Sequence, residues 1–248
     1  MKFFKYLFYI IWRCWFYGWV LLSIVAIFPI LIVVTSTENL YLVFFKIARA
    51  WAKTILFVMG FKVKITEEQH IENNKSYMFC PNHTSMVDIM LMLAVAKNPF
   101  VFVGKIELAK IPVFGFFYKR TCILVDRNNF KSRKAVFDEA RRRLSDGLSV
   151  CIFPEGLISD DKSIILSEFK NGAFRLAIEH QIPIVPLTFY DCKKRFSYTF
   201  FSGGPGKLRV KIHNFINTEG LTLKNINTIK KQTFNIMYNE LSSDLKQQ

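Results

Sequence analysis

The run Asn82-His83-Thr84-Ser85-Met86-Val87-Asp88 follows a short apolar stretch and sets an imidazole and a carboxylate five positions apart. On one continuous helix such positions differ by about 140°, so the two side chains would not share a face. If Thr84 or Ser85 caps the next helix, His83 sits in the turn and Asp88 lies one turn in. The carboxylate can then reach back to one imidazole nitrogen. It would fix the tautomer and stabilise the imidazolium, leaving the other nitrogen as a general base. A spacing this short also arises by chance, and a buried histidine bonded to a nearby aspartate fits these two residues equally well. No nucleophile accompanies the pair: there is no G-x-S-x-G, and Cys80 falls inside an expected strand. A hydroxyl activated by His83 would therefore belong to a substrate, which means direct transfer without a covalent enzyme intermediate.

The elements that must position these residues alternate along the chain. Strand-like runs cover 63–67, 76–80 and 100–105, then 148–156, 182–190 and 207–216. Helical patterns cover 85–97, 131–147 (Gly147 near the C-cap), 171–181 and the polar 224–246. This alternation predicts an α/β class domain over 61–248, with a central mixed sheet flanked by helices.

The first sixty residues differ in kind. From Cys14 to Val34 there are 21 residues without charge, enough to cross a ~30 Å hydrocarbon core. The run is too long for a signal peptide and no small-x-small site follows it. In 40–60, Lys46, Arg49 and Lys53 recur at spacings of three and four. That pattern predicts an interfacial helix with cations toward headgroups and aromatics toward acyl chains, or else a core helix with a solvated face. Lys2, Lys5 and Arg13 favour a cytoplasmic N-terminus. A membrane-associated helical hairpin over 1–60, or a first helix that dips in without crossing, would return the chain to that side.

Composition narrows the class further. The 248 residues are 51% apolar with 26 Phe, which excludes a disordered or collagen-like chain. A net charge of +15 points to anionic membrane surfaces, nucleic acid or acidic partners. The cations are spread along the chain with no nucleic-acid-binding motif, so nucleic acid is not an expected partner. Cys14, Cys80, Cys122, Cys151 and Cys192 are odd in number, widely spaced and without a CxxC pair. Free thiols in a reducing compartment are expected, with no metal site.

Four further segments follow the His83 motif: Gly104-Lys105-Ile106-Glu107-Leu108 with Ile111-Pro112-Val113-Phe114-Gly115, then Val125-Asp126-Arg127, Phe153-Pro154-Glu155-Gly156 and Ile182-Pro183-Ile184-Val185-Pro186. Each alone reads as a strand end or a turn. In this order and spacing, over about 78–190, they resemble the glycerolipid acyltransferases, best known from the PlsC-type 1-acyl-sn-glycerol-3-phosphate (lysophosphatidic acid) enzymes. The resemblance implies that fold and a reaction moving a fatty acyl group from acyl-CoA or acyl carrier protein to a lysophospholipid hydroxyl, with no cofactor beyond the donor. It implies His83 as general base, Asp88 as its partner, and Lys105, Arg127, Glu155 and Gly156 as substrate-binding residues. Backbone N–H groups near Gly156 or in the His83 turn could hold the oxyanion. It also implies a bilayer location, expected at a bacterial inner membrane with the catalytic domain on the cytoplasmic side.

One block departs from the family. The usual continuation E-G-T-R-S is here Glu155-Gly156-Leu157-Ile158-Ser159, so Ile158 stands where the family has a phosphate-directed Arg. Lys105 and Arg127 then suffice, helped by Lys170 or Arg175, or the acceptor is another lysolipid such as a lyso-aminolipid. A non-catalytic membrane adaptor would be expected to lose His83 or Asp88, and both are present. The basic residues Lys131, Arg133, Lys134 and 141–143 could meet anionic lipid or an acidic donor, or form a solvated helix face.

Overall fold

The computed structural model describes residues 2–126, 129–159, 161 and 163–247. Two helices lead: α1 (Lys2–Val34) and α2 (Tyr41–Val58), joined through a 3-10 turn at Glu38–Leu40. The order continues β1 (Phe61–Glu67), β2 (Met78–Pro81), α3 (Val87–Val95), β3 (Phe100–Lys105), α4 (Phe114–Thr121), β4 (Ile123–Val125), α5 (Phe130–Ser145) and β5 (Ser149–Cys151). Then come α6 (Gly172–Glu179), β6 (Ile184–Phe189), α7 (Cys192–Arg195), β7 (Gly206–Ile212) and α8 (Ile226–Lys246).

Among the described residues the strands form one sheet in the order β1-β7-β6-β2-β5-β3-β4. Only β6 and β7 pair antiparallel, so the sheet is mixed, as expected from the sequence. The central strands β2, β5 and β6 are buried throughout, because both faces of a parallel sheet are covered. Edge strand β1 carries Lys62 and Lys64 and is exposed after Phe61, a composition that discourages pairing with another chain. The core is aromatic: Tyr77, Phe79, Phe100, Phe169, Phe174 and Phe189 are fully buried. The α5 helix closes as its composition predicts, with the Leu148 N–H returning to the Arg143 carbonyl at 3.1 Å just beyond Gly147. The sequence pattern missed α4, β4 and α7, all short, and overran β5, which stops at Cys151.

The N-terminal helices are less separate than expected. One face of α2 buries Tyr41, Phe45, Ala52, Ile55 and Leu56 in the domain core. Arg49, expected to face headgroups, instead donates to the Leu93 and Ala94 carbonyls at the C-terminus of α3 (3.1 and 3.4 Å), where a cation suits the helix dipole. Lys46 and Lys53 remain exposed. The second helix thus packs one face into the domain core, while Leu42, Val43 and Phe57 stay exposed on the rest of its surface.

The α1 helix is continuous and apolar enough, by length and composition, to cross a membrane. It also touches the domain at both ends. Tyr6 meets Phe201 edge-on at 4.9 Å, Phe16 meets Phe196 at 4.3 Å, and Phe28 meets Phe116 at 5.5 Å. These contacts span 22 residues, about 33 Å of helix at 1.5 Å per residue. The helix therefore lies along the domain instead of standing clear of it.

Candidate active site

The strands β2, β5, β3 and β4 are neighbours and parallel, so their C-terminal ends share one edge of the sheet. His83 follows β2, Phe153 to Gly156 follow β5, and Lys105 ends β3. This is the edge where open α/β sheets bind ligands. Adjacency of β2 to β5, distant in sequence, brings the first and third motif blocks together. Arg127, expected beside them two positions past β4, lies outside the described residues.

The His83 turn is built on the Asp88 carboxylate. The side chain of Asp88 is fully buried, and its Oδ2 accepts from the Thr84 N–H (2.6 Å), the Ser85 N–H (2.8 Å) and His83 Nδ1 (2.9 Å). The expected cap is thus reciprocal: Asp88, in the first turn of α3, reaches back to N–H groups that precede the helix, while Ser85 accepts from its first residue. Ser85 Oγ accepts the Val87 N–H at 3.1 Å and donates to the Phe196 carbonyl at 2.5 Å. With Nδ1–H given to Asp88, the Nε2 atom is left as the basic nitrogen. It makes no hydrogen bond among the described residues, and the His83 side chain is 20% exposed.

Two further residues hold His83, one at its ring and one at its backbone. The Phe153 ring stacks on it with centroids 4.1 Å apart and planes 22° apart. Glu155 is buried, and its carboxylate accepts the His83 N–H (2.7 Å) and the Ser167 N–H (2.9 Å). Burial pushes the Glu155 carboxyl up from its ordinary value, while those N–H groups pull it back. Both of its oxygens are engaged by backbone, so its observed role is to tie the β5 loop to the His83 turn. Gly156 adopts φ +74, open to glycine at little cost, and its N–H donates to the Phe153 carbonyl at 3.0 Å. The N–H groups of His83, Thr84, Ser85 and Gly156 are therefore all committed within the protein, and none is an open oxyanion donor.

Lys105 is exposed at the end of β3. Its carbonyl accepts from the Tyr118 hydroxyl at 3.2 Å, which fastens the block to α4. Gly115 allows the return: a Cβ there would meet the Ala109 carbonyl oxygen at 2.2 Å. Ile158 is half-buried, and Lys170 is exposed. Arg175 is taken by Glu179 along α6 at 2.7 Å. The basic run on α5 divides: Arg142 and Arg143 pair with Glu139 and Glu38, while Lys134 and Arg141 stay exposed. The Lys131 and Arg133 side chains lie outside the described residues. Two of the expected ligand-facing cations thus tie α5 to the α1–α2 connection, since acidic partners were within reach.

Cys80, Cys151 and Cys192 are buried, and burial pushes each thiol up, so none is a nucleophile at neutral pH. Among the described residues no group of three or more His, Cys, Asp or Glu side chains converges as a metal site. Sequence reasoning missed the roles of Phe153 and Arg13. Phe153 heads a block already singled out, but nothing in the sequence indicates that its ring covers His83. Arg13 is only 4% exposed, its guanidinium enclosed by carbonyls of the β6–β7 connection. It does not display the outward-facing charge that the topology reading used.

Comparison with known proteins agrees with this arrangement. Residues 62–190, just over half the chain, match the profile of the Acyltransferase family. The human 1-acyl-sn-glycerol-3-phosphate acyltransferase alpha is 29% identical over 238 residues, 92% of this chain and 80% of that protein. A Mycoplasma pneumoniae protein described as a probable 1-acyl-sn-glycerol-3-phosphate acyltransferase is 32% identical over 138 residues, 54% of this chain and 51% of its own length. The crystal structure of the 1-acyl-sn-glycerophosphate (LPA) acyltransferase PlsC from Thermotoga maritima superposes with a TM-score of 0.79. That match covers 100% of this chain and 99% of the other at 20% identity, so it supports the fold. With the His83 turn, the adjoining β5 loop and these matches together, the chain belongs to the acyltransferase family and is a glycerolipid acyltransferase.

Proposed function

We propose that the protein moves a fatty acyl group from an acyl-CoA or acyl carrier protein thioester to the sn-2 hydroxyl of 1-acyl-glycerol-3-phosphate, giving phosphatidic acid. The observation that carries this reading is the His83 turn: Nδ1 bonded to a buried carboxylate, Nε2 open at the strand ends. In the proposed step Nε2 takes the hydroxyl proton as the oxygen attacks the thioester carbonyl. The C–S bond then breaks, and the imidazolium returns the proton to the departing thiolate, which is already a good leaving group. Asp88 holds the ring and balances its charge. Lys105 and Arg127 would hold the acceptor phosphate, and Glu155 and Gly156 would serve by fixing the walls of the site. The Leu157 and Ile158 N–H groups, without hydrogen bonds among the described residues, are the nearest candidates in chain order for the developing oxyanion. The apolar α1 supports a membrane location, with the helix lying along the domain and the domain on the cytoplasmic side.

Ile158 in the place of the family arginine favours a second reading, in which the acceptor is a lyso-aminolipid or another lysophospholipid. The test is acyl transfer by the purified protein in vesicles, with labelled acyl-CoA or acyl carrier protein thioesters and each acceptor in turn, comparing wild type with His83→Ala. Phosphatidic acid formed by wild type and lost in the variant is the expected result. His83-dependent turnover only with a lyso-aminolipid would establish the second reading. Undiminished turnover in His83→Ala would overturn the mechanism.

A further inference from the structure

Between α7 and β7 the chain runs Phe196-Ser197-Tyr198-Thr199-Phe200-Phe201-Ser202 before two glycines. Its carbonyls close around a cation from the N-terminal helix. Arg13 donates to Ser197 (2.6 Å), Thr199 (2.8 Å), Phe200 (3.2 Å) and Ser202 (3.4 Å), and its guanidinium lies 4.2 Å from the Phe196 ring centroid. Ser197 and Ser202 hydroxyls pair at 2.7 Å, and the Thr199 N–H turns back to Ser197 Oγ at 3.1 Å. The polar interior of the loop is thus satisfied by the protein itself.

The outside of the same loop is aromatic. Tyr198, Phe200 and Phe201 are 56%, 48% and 48% exposed. Phe200 and Phe201 pack edge-on at 5.0 Å, and Phe201 meets Tyr6 of α1. Phe3, Phe4, Tyr6 and Leu7 of that helix are also exposed, so the loop continues its apolar surface. Exposed Lys5 adjoins Tyr6 in the chain, and exposed Lys194 lies four residues before Tyr198. Aromatic rings beside cations, on a loop with four of its carbonyls bonded to Arg13, suit the boundary between headgroups and acyl chains.

We propose that the tip of this loop, Tyr198, Phe200 and Phe201, is a second membrane contact that enters the same bilayer boundary as α1. The proposal rests on the reading of α1 as membrane-associated. A bilayer is the occupant chosen because the patch is continuous with α1 and these neighbouring charges in the chain are positive, complementary to anionic lipid. Arg13 is the latch that keeps loop and helix at one level. Through the Phe196 carbonyl, the loop also contacts Ser85 of the His83 turn, so the contact would hold the bilayer next to the site.

The test uses the full-length protein, with the half-buried Cys122 replaced by Ser throughout, in phosphatidylcholine–phosphatidylglycerol vesicles with an environment-sensitive fluorophore on one accessible cysteine at a time. Cys14, exposed on α1, labels the helix. In a Cys14→Ser background, Phe201→Cys and, as a second variant, Tyr198→Cys label the loop. Leu223→Cys labels an exposed turn before α8 as the aqueous reference. The expected result is blue-shifted emission and several-fold weaker iodide quenching at Cys14 and both loop positions than at Leu223. Protection at Cys14 with loop probes quenched like Leu223 overturns the loop contact and leaves the α1 reading standing. Quenching at Cys14 as well overturns both. Protection at Leu223 too also overturns the proposal, because the loop then behaves like the rest of the surface.

Discussion

Three described histidines sit next to carboxylates: His70 does so on the open surface, and of the other two, His83 and His213, only one is arranged as a base. His83 lies past the end of β2, gives Nδ1 to Asp88 and keeps Nε2 open. His213 lies one residue past β7, beside the body of β6 and away from the site's edge: its N–H donates to the carbonyl of Pro186, which pairs with Cys80 of β2. His213 is buried, with Nε2 2.7 Å from the Thr188 hydroxyl and Nδ1 3.8 Å from Glu68. Lys211 bridges Glu68 and Glu240 nearby at 2.8 and 2.7 Å, so the carboxylates around His213 are already balanced by a cation. The difference shows that a histidine–carboxylate contact alone does not make a site. An uncommitted nitrogen and a position at the site's edge of the sheet are needed as well.

The sharpest way to break this comparison is to exchange the effects of the two histidines. His83→Ala is expected to lower acyl transfer by about 10²–10⁴-fold, the usual worth of a general base, with little change in thermal stability. His213→Gln should do the opposite, leaving turnover within a few-fold while lowering the melting temperature. A large loss of turnover in His213→Gln with an intact fold would mean that the comparison is wrong.

Asp88→Asn probes the partner. It removes the charge and presents an amide where three N–H groups now converge, so a fall of the same order, about 10²–10⁴-fold, is expected in kcat. Because the pair acts as one unit, His83→Ala/Asp88→Asn should be hardly slower than His83→Ala. Multiplying losses would show that the residues act separately.

A smaller effect is expected at Glu155. Glu155→Gln replaces one of two acceptor oxygens with a donor facing a backbone N–H, a change that costs about 1–3 kcal/mol for a buried group. The expected readout is a lower melting temperature and reduced kcat with little change in KM. A selective rise in KM for the acceptor would instead assign Glu155 to substrate binding.

The smallest effect is a pH slope. Burial, with Lys211 adding to it, holds the His213 imidazole below its ordinary value, against a partial opposing pull from Glu68. The unfolded chain therefore binds the proton more readily, and stability rises with pH across that window. As pH falls below about 6.5, the unperturbed histidine value, this contribution is lost. Melting temperatures measured from neutral to mildly acidic pH should fall more steeply in wild type than in His213→Gln. Parallel slopes would remove His213 from the account.

The residues themselves determined much of this protein. The His83–Asp88 spacing, Lys105 at a strand end, the Phe153–Gly156 turn and the apolar first helix all follow from local pattern, since caps, turns and burial periodicity act over a few residues. Tertiary structure decided what local pattern leaves open. It made β5 a neighbour of β2, so Glu155 and Phe153 reach His83 from 72 and 70 positions away. It committed the amides of the His83 turn and Gly156, turned Arg49 onto α3, enclosed Arg13 in a distant loop, and left His213 closed while His83 stayed open. Each of these depends on strand order and on which polar groups meet after the chain has closed, and sequence spacing carries no record of either.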